Sequence, residues 1–307
     1  MRFLVILALS FPLLAQCQKI STAPAGFRAV RDLDYVGSGN QRQMLDLYLP
    51  EAKADKPHPL VVYIHGGGWE SGSKNEADVL LGLIGGGTPY AGASINYRLT
   101  NQARWPAQIF DCKAAIRWLR AHAKEHNLDP DKISVFGISA GGHLVSMLGV
   151  TGGVKELEGE LGSHLDQSSR VSCVLDFCGP SDFLTFGGKG SIIDPDDPKG
   201  ALAKLIGGPL KDRREEGRKA SPVTYITPDD APFLIIHGDK DTLVPYSQAT
   251  EFNTALKAAH VPSTLLTGTD GGHVFLSGLL VERMFAFNAR HLQGKDVQIT
   301  EGAVPSK

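Results

Sequence analysis

The sequence predicts an α/β domain, with a mostly parallel sheet covered by helices on both faces. Three observations carry that reading. Strand-length apolar runs alternate with helix-length segments over most of the chain. Runs such as Leu60-Val61-Val62-Tyr63-Ile64 are continuously apolar, as strands buried on both faces are. Finally, the short buried strand Asp131 to Phe136 turns through Gly137-Ile138-Ser139-Ala140-Gly141 straight into an apolar-faced helix at His143 to Leu148.

At the N-terminus, Met1-Arg2 carries one positive side chain, and Phe3 to Ala15 is an apolar run broken only by Ser10 and Pro12. That is the shape of an export signal over residues 1–17, and Pro12 argues against a buried first helix. The run falls short of the roughly 20 apolar residues a membrane-spanning helix needs. The expectation is a secreted or periplasmic protein with no integral membrane span. In Leu14-Ala15-Gln16-Cys17 the cysteine resembles a lipoprotein site, so a lipid anchor at Cys17 is the alternative. Gln16 stands where a small residue is usual, which favours simple export.

Met44 to Pro50 alternates with period two and reads as an early edge strand with one solvated face. Leu60 to Ile64 and Ala91 to Tyr97 read as central strands. Pro106 to His122 has helical spacing, with Ile109, Ala115, Ile116 and Leu119 on one face. Further strands are expected at 171–177, 233–236 and 263–267, and helices at 249–259 and 276–292. Two segments rich in Gly, Asp, Lys and Pro, 151–170 and 187–212, interrupt the alternation as candidate cap or rim loops. The polar tail 294–307 is expected to fray.

The chain has 307 residues, 42% hydrophobic and 21% charged, with a formal net charge of −2, so no basic stripe invites nucleic acid. Of its four cysteines, Cys112, Cys173 and Cys178 remain if the signal is cleaved. An odd number argues for buried thiols rather than a disulfide framework. Cys173 and Cys178, five apart in a strand-like run, are expected on opposite faces. No C-x-x-C or H-E-x-x-H spacing is present, so neither metal nor cofactor is expected.

In a chain with 35 glycines a G-x-S-x-G string is weak evidence alone. Its context strengthens it. A strand-to-helix turn this tight excludes side chains at the flanking positions and aims Ser139 away from the sheet. His65-Gly66-Gly67-Gly68-Trp69 directly follows a central strand, where its N–H groups can join that of Ala140 around a developing oxyanion. It lacks the spacing of a dinucleotide fingerprint. A histidine base must follow the acid in this chain order, which leaves His260, His273 and His291. His273, in a glycine-bearing loop past the last strand, is favoured. For the acid, Asp241 has more reach than Asp239, which is expected to bond its own turn; Asp182 is a third candidate. Trp69, Trp105 and Phe183 are expected as core or pocket-lining residues, and His143 is expected to pack or bond locally.

His65 to Trp69, Gly137 to His143, Gly179-Pro180-Ser181-Asp182, His237 to Asp241 and Gly272-His273 resemble the α/β-hydrolase esterases. The likeness is to exported bacterial enzymes related to hormone-sensitive lipase and to feruloyl and acetyl-xylan esterases, and it covers 34–292. It implies an eight-stranded sheet, a catalytic triad of Ser139, Asp241 and His273, and an oxyanion hole from Gly67, Gly68 and Ala140. Ile138, where hormone-sensitive-lipase relatives carry an acid, favours the feruloyl or acetyl branch. The resemblance implies a serine carboxylesterase acting on small-molecule or polysaccharide-linked esters. A prolyl-oligopeptidase-type peptidase would need a propeller domain for which there is no room, and an inactive binding protein would lack a triad residue.

Overall fold

The computed structural model describes residues 22–85, 87–187 and 191–306. The expected signal at 1–17, including Cys17, lies outside them. The strands, in chain order, are β1 (Phe27–Asp34), β2 (Met44–Pro50), β3 (His58–Ile64), β4 (Ala91–Ile95), β5 (Leu128–Ile138), β6 (Cys173–Phe177), β7 (Phe233–Gly238), β8 (Ser263–Thr269) and β9 (Gly302–Pro305). They form one sheet in the order β1-β2-β4-β3-β5-β6-β7-β8-β9. β2 is antiparallel to both β1 and β4, and every later pairing is parallel. The helices are α1 (Asp78–Ile84), α2 (Ala107–Ala121), α3 (Ala140–Val150), α4 (Lys155–Glu158), α5 (Ala201–Ile206), α6 (Arg214–Lys219), α7 (Ser247–Ala258) and α8 (Gly278–Gln293). Two apolar clusters form, one holding residues of α2, α3 and α7 and the other residues of α1 and α8. The predicted α/β architecture is present. No helix of the described residues is long and apolar enough to cross a membrane.

The sheet has nine strands rather than the implied eight. The extra strand comes from the tail: β9 pairs with β8, so part of 294–307 is ordered and not frayed. Its one inward side chain, Val304, is 2% exposed. β2 is likewise not an edge, because β1 covers it. Its apparently solvated positions are satisfied indoors. Asp46 accepts hydrogen bonds from Arg31 Nη1 and Lys74 Nζ, each at 2.6 Å, and Tyr48 Oη accepts from Arg31 at 3.0 Å. Buried charge in a pair reads as surface in a sequence.

The segment 151–170 braces α2 rather than capping the site. Lys113 Nζ donates to Thr151 O at 2.6 Å and to Glu158 at 2.7 Å, while Arg117 Nη1 donates to Glu158 O at 2.9 Å. Cys112, Cys173 and Cys178 are free and buried. The last two are not on opposite faces: Cys178 takes a left-handed φ of 49° just past β6, and both thiols join the second cluster.

Candidate active site

The parallel strands β3, β5, β7 and β8 carry the candidate residues just beyond their C-terminal ends, as open α/β sheets do. After β3, Gly67 and Gly68 take φ of 100° and 59°. A Cβ on Gly67 would lie 2.4 Å from Ser71 O, so only glycine lets this loop fold back on itself. Gly67 O then accepts from the N–H of Glu70 and of Ser71, both at 3.0 Å.

His65 is fully buried beneath this loop. Arg42 Nη2 lies 3.0 Å from His65 Nε2, and because arginine only donates, Nε2 must accept. The proton therefore sits on Nδ1 and goes to Gly66 O at 2.7 Å. Burial, with Arg42 adding to it, lowers the imidazole to about 3. Arg42 also donates to Gly72 O at 2.9 Å and Tyr97 O at 3.2 Å, and the Tyr97 ring stacks on His65 with centroids 4.3 Å apart. One guanidinium thus fastens both ends of the glycine loop.

Ser139 joins β5 to α3 with φ 57° and ψ −119°. Its N–H donates to Phe177 O at 2.8 Å. A Cβ on Gly137 would approach Gly141 O to 2.2 Å, and one on Gly141 would approach Ile64 O to 2.1 Å, so the turn is closed to side chains on both flanks. Ala140 opens α3, and its N–H has no intrahelical acceptor. Behind the turn, buried Asp176 accepts from Ser146 Oγ and from Gly179 N, each at 2.9 Å. Burial raises its carboxyl to about 6 despite those bonds.

His273 Nδ1 lies 2.7 Å from Asp241 Oδ2, with the imidazole half-buried and the carboxylate buried. Asp241 Oδ1 accepts from the N–H of Leu243 at 2.8 Å and of Val244 at 3.1 Å. His237 Nε2, donating to Val244 O at 2.9 Å, also stands 3.1 Å from Asp241 Oδ2. Burial alone would raise the Asp241 carboxyl, but the two histidines hold it well below the usual carboxylate range. With its Nδ1 proton on Asp241, His273 presents Nε2 as the ring's acceptor.

Ser139, Ala140, Gly67, Gly68 and His273 line one cavity of about 450 Å³. In this conformation His273 Nε2 faces Cys178 Sγ at 3.9 Å, and no hydrogen bond joins it to Ser139 among the described residues. Such bonds are commonly loose before substrate arrives. The competing residues are elsewhere. Asp182 Oδ1 accepts from Leu184 N at 2.8 Å, His260 is exposed, and His291 packs on Phe287 in α8. Asp239 Oδ1, expected to bond its turn, is buried and has no hydrogen-bond partner among the described residues. His143 packs among Trp69, Trp105 and Phe183, but its hydrogen bonds are not local: Nδ1 accepts from Trp69 Nε1 at 3.2 Å and Nε2 donates to Ala220 O at 2.7 Å, both partners distant in sequence. Trp69 lines the cavity, whereas Phe183 is core and Trp105 packs on His143. The 187–212 segment does border the cavity, through Ile193, Ala201 and Leu202.

Sequence reasoning missed the support. Arg42, Asp176 and Cys178 carry no motif that points to the site, and His237 was legible only as part of a strand-end His-Gly-Asp.

Residues 45–256 match the BD-FAE family. Esterase LipC of Mycobacterium tuberculosis is 33% identical over 247 residues, 77% of this chain and 58% of that protein. A probable carboxylic ester hydrolase of the same organism, LipM, is 30% identical over 74% of this chain and 51% of its own length. The chain therefore spans about half the length of the curated relatives it matches. Among solved structures, a truncated carbohydrate esterase from gut microbiota aligns with a TM-score of 0.79 at 30% identity, over 89% of this chain and 100% of that one. With strand order, glycine loop, serine turn and family match in agreement, the chain belongs to the BD-FAE family of α/β-hydrolase esterases.

Proposed function

We propose that this protein is a serine carboxylesterase that hydrolyses short-chain acyl esters, among them acetyl or feruloyl groups on plant polysaccharide, through an acyl-enzyme. The observation that carries the reading is the His273–Asp241 pair at 2.7 Å opening onto the cavity that also holds Ser139 and the glycine loop. In this reading His273 Nε2 takes the Ser139 proton as Oγ attacks the ester carbonyl, and Asp241 fixes the tautomer and steadies the imidazolium. The N–H groups of Ala140, Gly67 and Gly68 stabilise the oxyanion, each worth about 3 kcal/mol when removed singly. Loss of the alcohol leaves an acyl-serine, which water releases with the same histidine as base.

Support for the substrate class comes from the cavity and the relatives. The walls include Trp69, Phe186, Leu202 and Val244, which suit an acyl or aryl group rather than a charged one. The carbohydrate esterase named above adds the polysaccharide side of the reading. The apolar run at Phe3 to Ala15 supports export, to be checked by fractionating expressing cells.

The test is p-nitrophenyl acetate turnover beside release of acetate and ferulate from xylan fragments. Ser139→Ala should abolish turnover, and Asp241→Asn should lower kcat by about 10⁴-fold while Asp182→Asn stays near wild type. Turnover surviving Ser139→Ala, or cleavage of peptidyl p-nitroanilides in preference to the esters, would overturn the proposal.

A further inference from the structure

One buried nucleophile faces the site with no task in the mechanism above. Cys178 directly follows the C-terminal end of β6, with a left-handed φ of 49°. Its Sγ lies 3.9 Å from His273 Nε2 in hydrogen-bonding geometry, from a position 95 residues away in sequence. Donor atoms of Cys178, His273 and Asp241 all fall within 4.8 Å of one another.

We propose that Cys178 Sγ and His273 Nε2 form a site for a thiophilic divalent cation, Zn²⁺ or Cd²⁺, whose binding shuts off the base. The inhibitory consequence rests on the esterase reading; the binding does not. Three features of the geometry argue for it. First, the Nδ1 proton of His273 is committed to Asp241 at 2.7 Å, and a carboxylate on the far nitrogen is the arrangement that orients and strengthens a metal-binding histidine. Second, the donor spacing fits. Zn–S and Zn–N bonds of about 2.3 and 2.0 Å at a near-tetrahedral angle place their donors roughly 3.6 Å apart, close to the contact seen. Third, the pair is a thiol, which burial keeps protonated until a metal displaces the proton, and an imidazole; sulfur and imidazole donors select zinc-like ions over magnesium or calcium.

Access is from the cavity side. His273 lines the cavity, which leaves the remaining coordination positions to water, while Sγ backs the site from the buried side. Binding forms one metal–sulfur and one metal–nitrogen bond, and the thiol proton passes to solvent. Nothing is oxidised. Asp241 stays on Nδ1 as an outer partner. The lone pair that would take the Ser139 proton is then occupied by the ion, and removing the ion restores it.

Two measurements test this on the whole chain. CdCl₂ titrated into wild type should raise an ultraviolet thiolate-to-cadmium band that saturates with an equimolar equivalent, and should do so equally in Ser139→Ala. Cys178→Ala should lose that band although Cys112 and Cys173 are retained. In the second, ZnCl₂ should inhibit p-nitrophenyl acetate turnover reversibly by chelator, and Cys178→Ala should need at least about tenfold more zinc for half-inhibition, each protein compared with its own metal-free rate; losing even an outer partner of a ligand costs about 10–100-fold in metal affinity, and a direct ligand should cost no less. Cys178→Ser serves if the alanine variant does not fold. An undiminished band or unchanged zinc sensitivity in the variants, or no band in wild type, overturns the site. A wild type that shows the band without turnover overturns the esterase reading instead.

Discussion

Arg42 is 23 residues from His65 in sequence, yet the geometry makes it the residue on which the glycine loop depends. Replacing it with Met keeps most of the apolar stem and removes the guanidinium. Three acceptors lose their donor: His65 Nε2 at 3.0 Å, Gly72 O at 2.9 Å and Tyr97 O at 3.2 Å. His65 and Tyr97 are both 0% exposed, so at least two of these groups have no route to water. A buried acceptor left unmade costs about 1–3 kcal/mol, giving a loss of about 2–6 kcal/mol in chemical denaturation. The catalytic effect is separate. Gly72 and His65 hold the two ends of the loop that carries Gly67 and Gly68, and displacement of such donors by about 1 Å costs about 10²-fold in rate. The expected result for Arg42→Met is therefore kcat lower by about 10²-fold with KM little changed, measured well below its midpoint of unfolding. Arg42→Lys should not restore it, because one ammonium on a flexible stem cannot reproduce the planar fork. A folded Arg42→Met with kcat within about threefold of wild type would show that the loop holds itself.

Two further outcomes follow from packing and burial. Gly137→Ala should be insoluble or lose about 4 kcal/mol or more, since its Cβ would lie 2.2 Å from Gly141 O, whereas Gly82→Ala, in open space on α1, should gain about 0.5–1 kcal/mol; calorimetry on both checks the contrast. Acid should destabilise the fold through His65 and His143, which burial lowers to about 3 and about 4. Their folded values lie below the unfolded one near 6.5, so their contribution is intact above that pH and is lost as pH falls, by about 3 kcal/mol each at pH 4. Asp176, raised to about 6, runs the other way: its contribution is full below about 3.9 and is lost as pH rises through 6, which offsets about 2 kcal/mol of the acid loss. Urea unfolding at pH 7.5, 5.5 and 4 should show His143→Gln losing about 3 kcal/mol less than wild type; an identical pH slope in the two would count against neutral burial of that ring.

Much of the fold was legible because parallel strands buried on both faces announce themselves as unbroken apolar runs. β3 and β7 are such runs, and the helices between them keep a single apolar face. One misreading has a clear cause. Asp46 and Tyr48 made β2 look half-solvated, yet both are buried with partners, as are the charged Lys113 and Arg117 of α2. The partners come from elsewhere in the chain, Arg31 and Lys74 for Asp46, Glu158 for Lys113. A period-two or period-3.6 pattern records the polarity of one segment only, so it cannot register a charge neutralised by another.

The candidate site divides along the same line. Ser139 and the glycine loop sit where a strand ends and the backbone turns left-handed, with φ of 57° at Ser139 and 100° at Gly67, while Asp241 and His273 follow strand ends where Gly238 packs directly on the glycine pair before His273. Unusual backbone needs particular residues, and those leave a written trace. The groups that tune the site sit on ordinary backbone or within ordinary strands. Arg42 lies in a 3-10 turn, Asp176 inside β6, and His237 inside β7. Their effect comes from burial and from a partner brought within about 3 Å by the sheet order, neither of which a linear pattern encodes. Cys178 marks the boundary. Its left-handed φ of 49° is as unusual as that of Ser139, but a cysteine there satisfies no turn preference, so the sequence reads it as one more buried thiol. Whether it is more than that is decided by the 3.9 Å to His273, a distance only the fold creates.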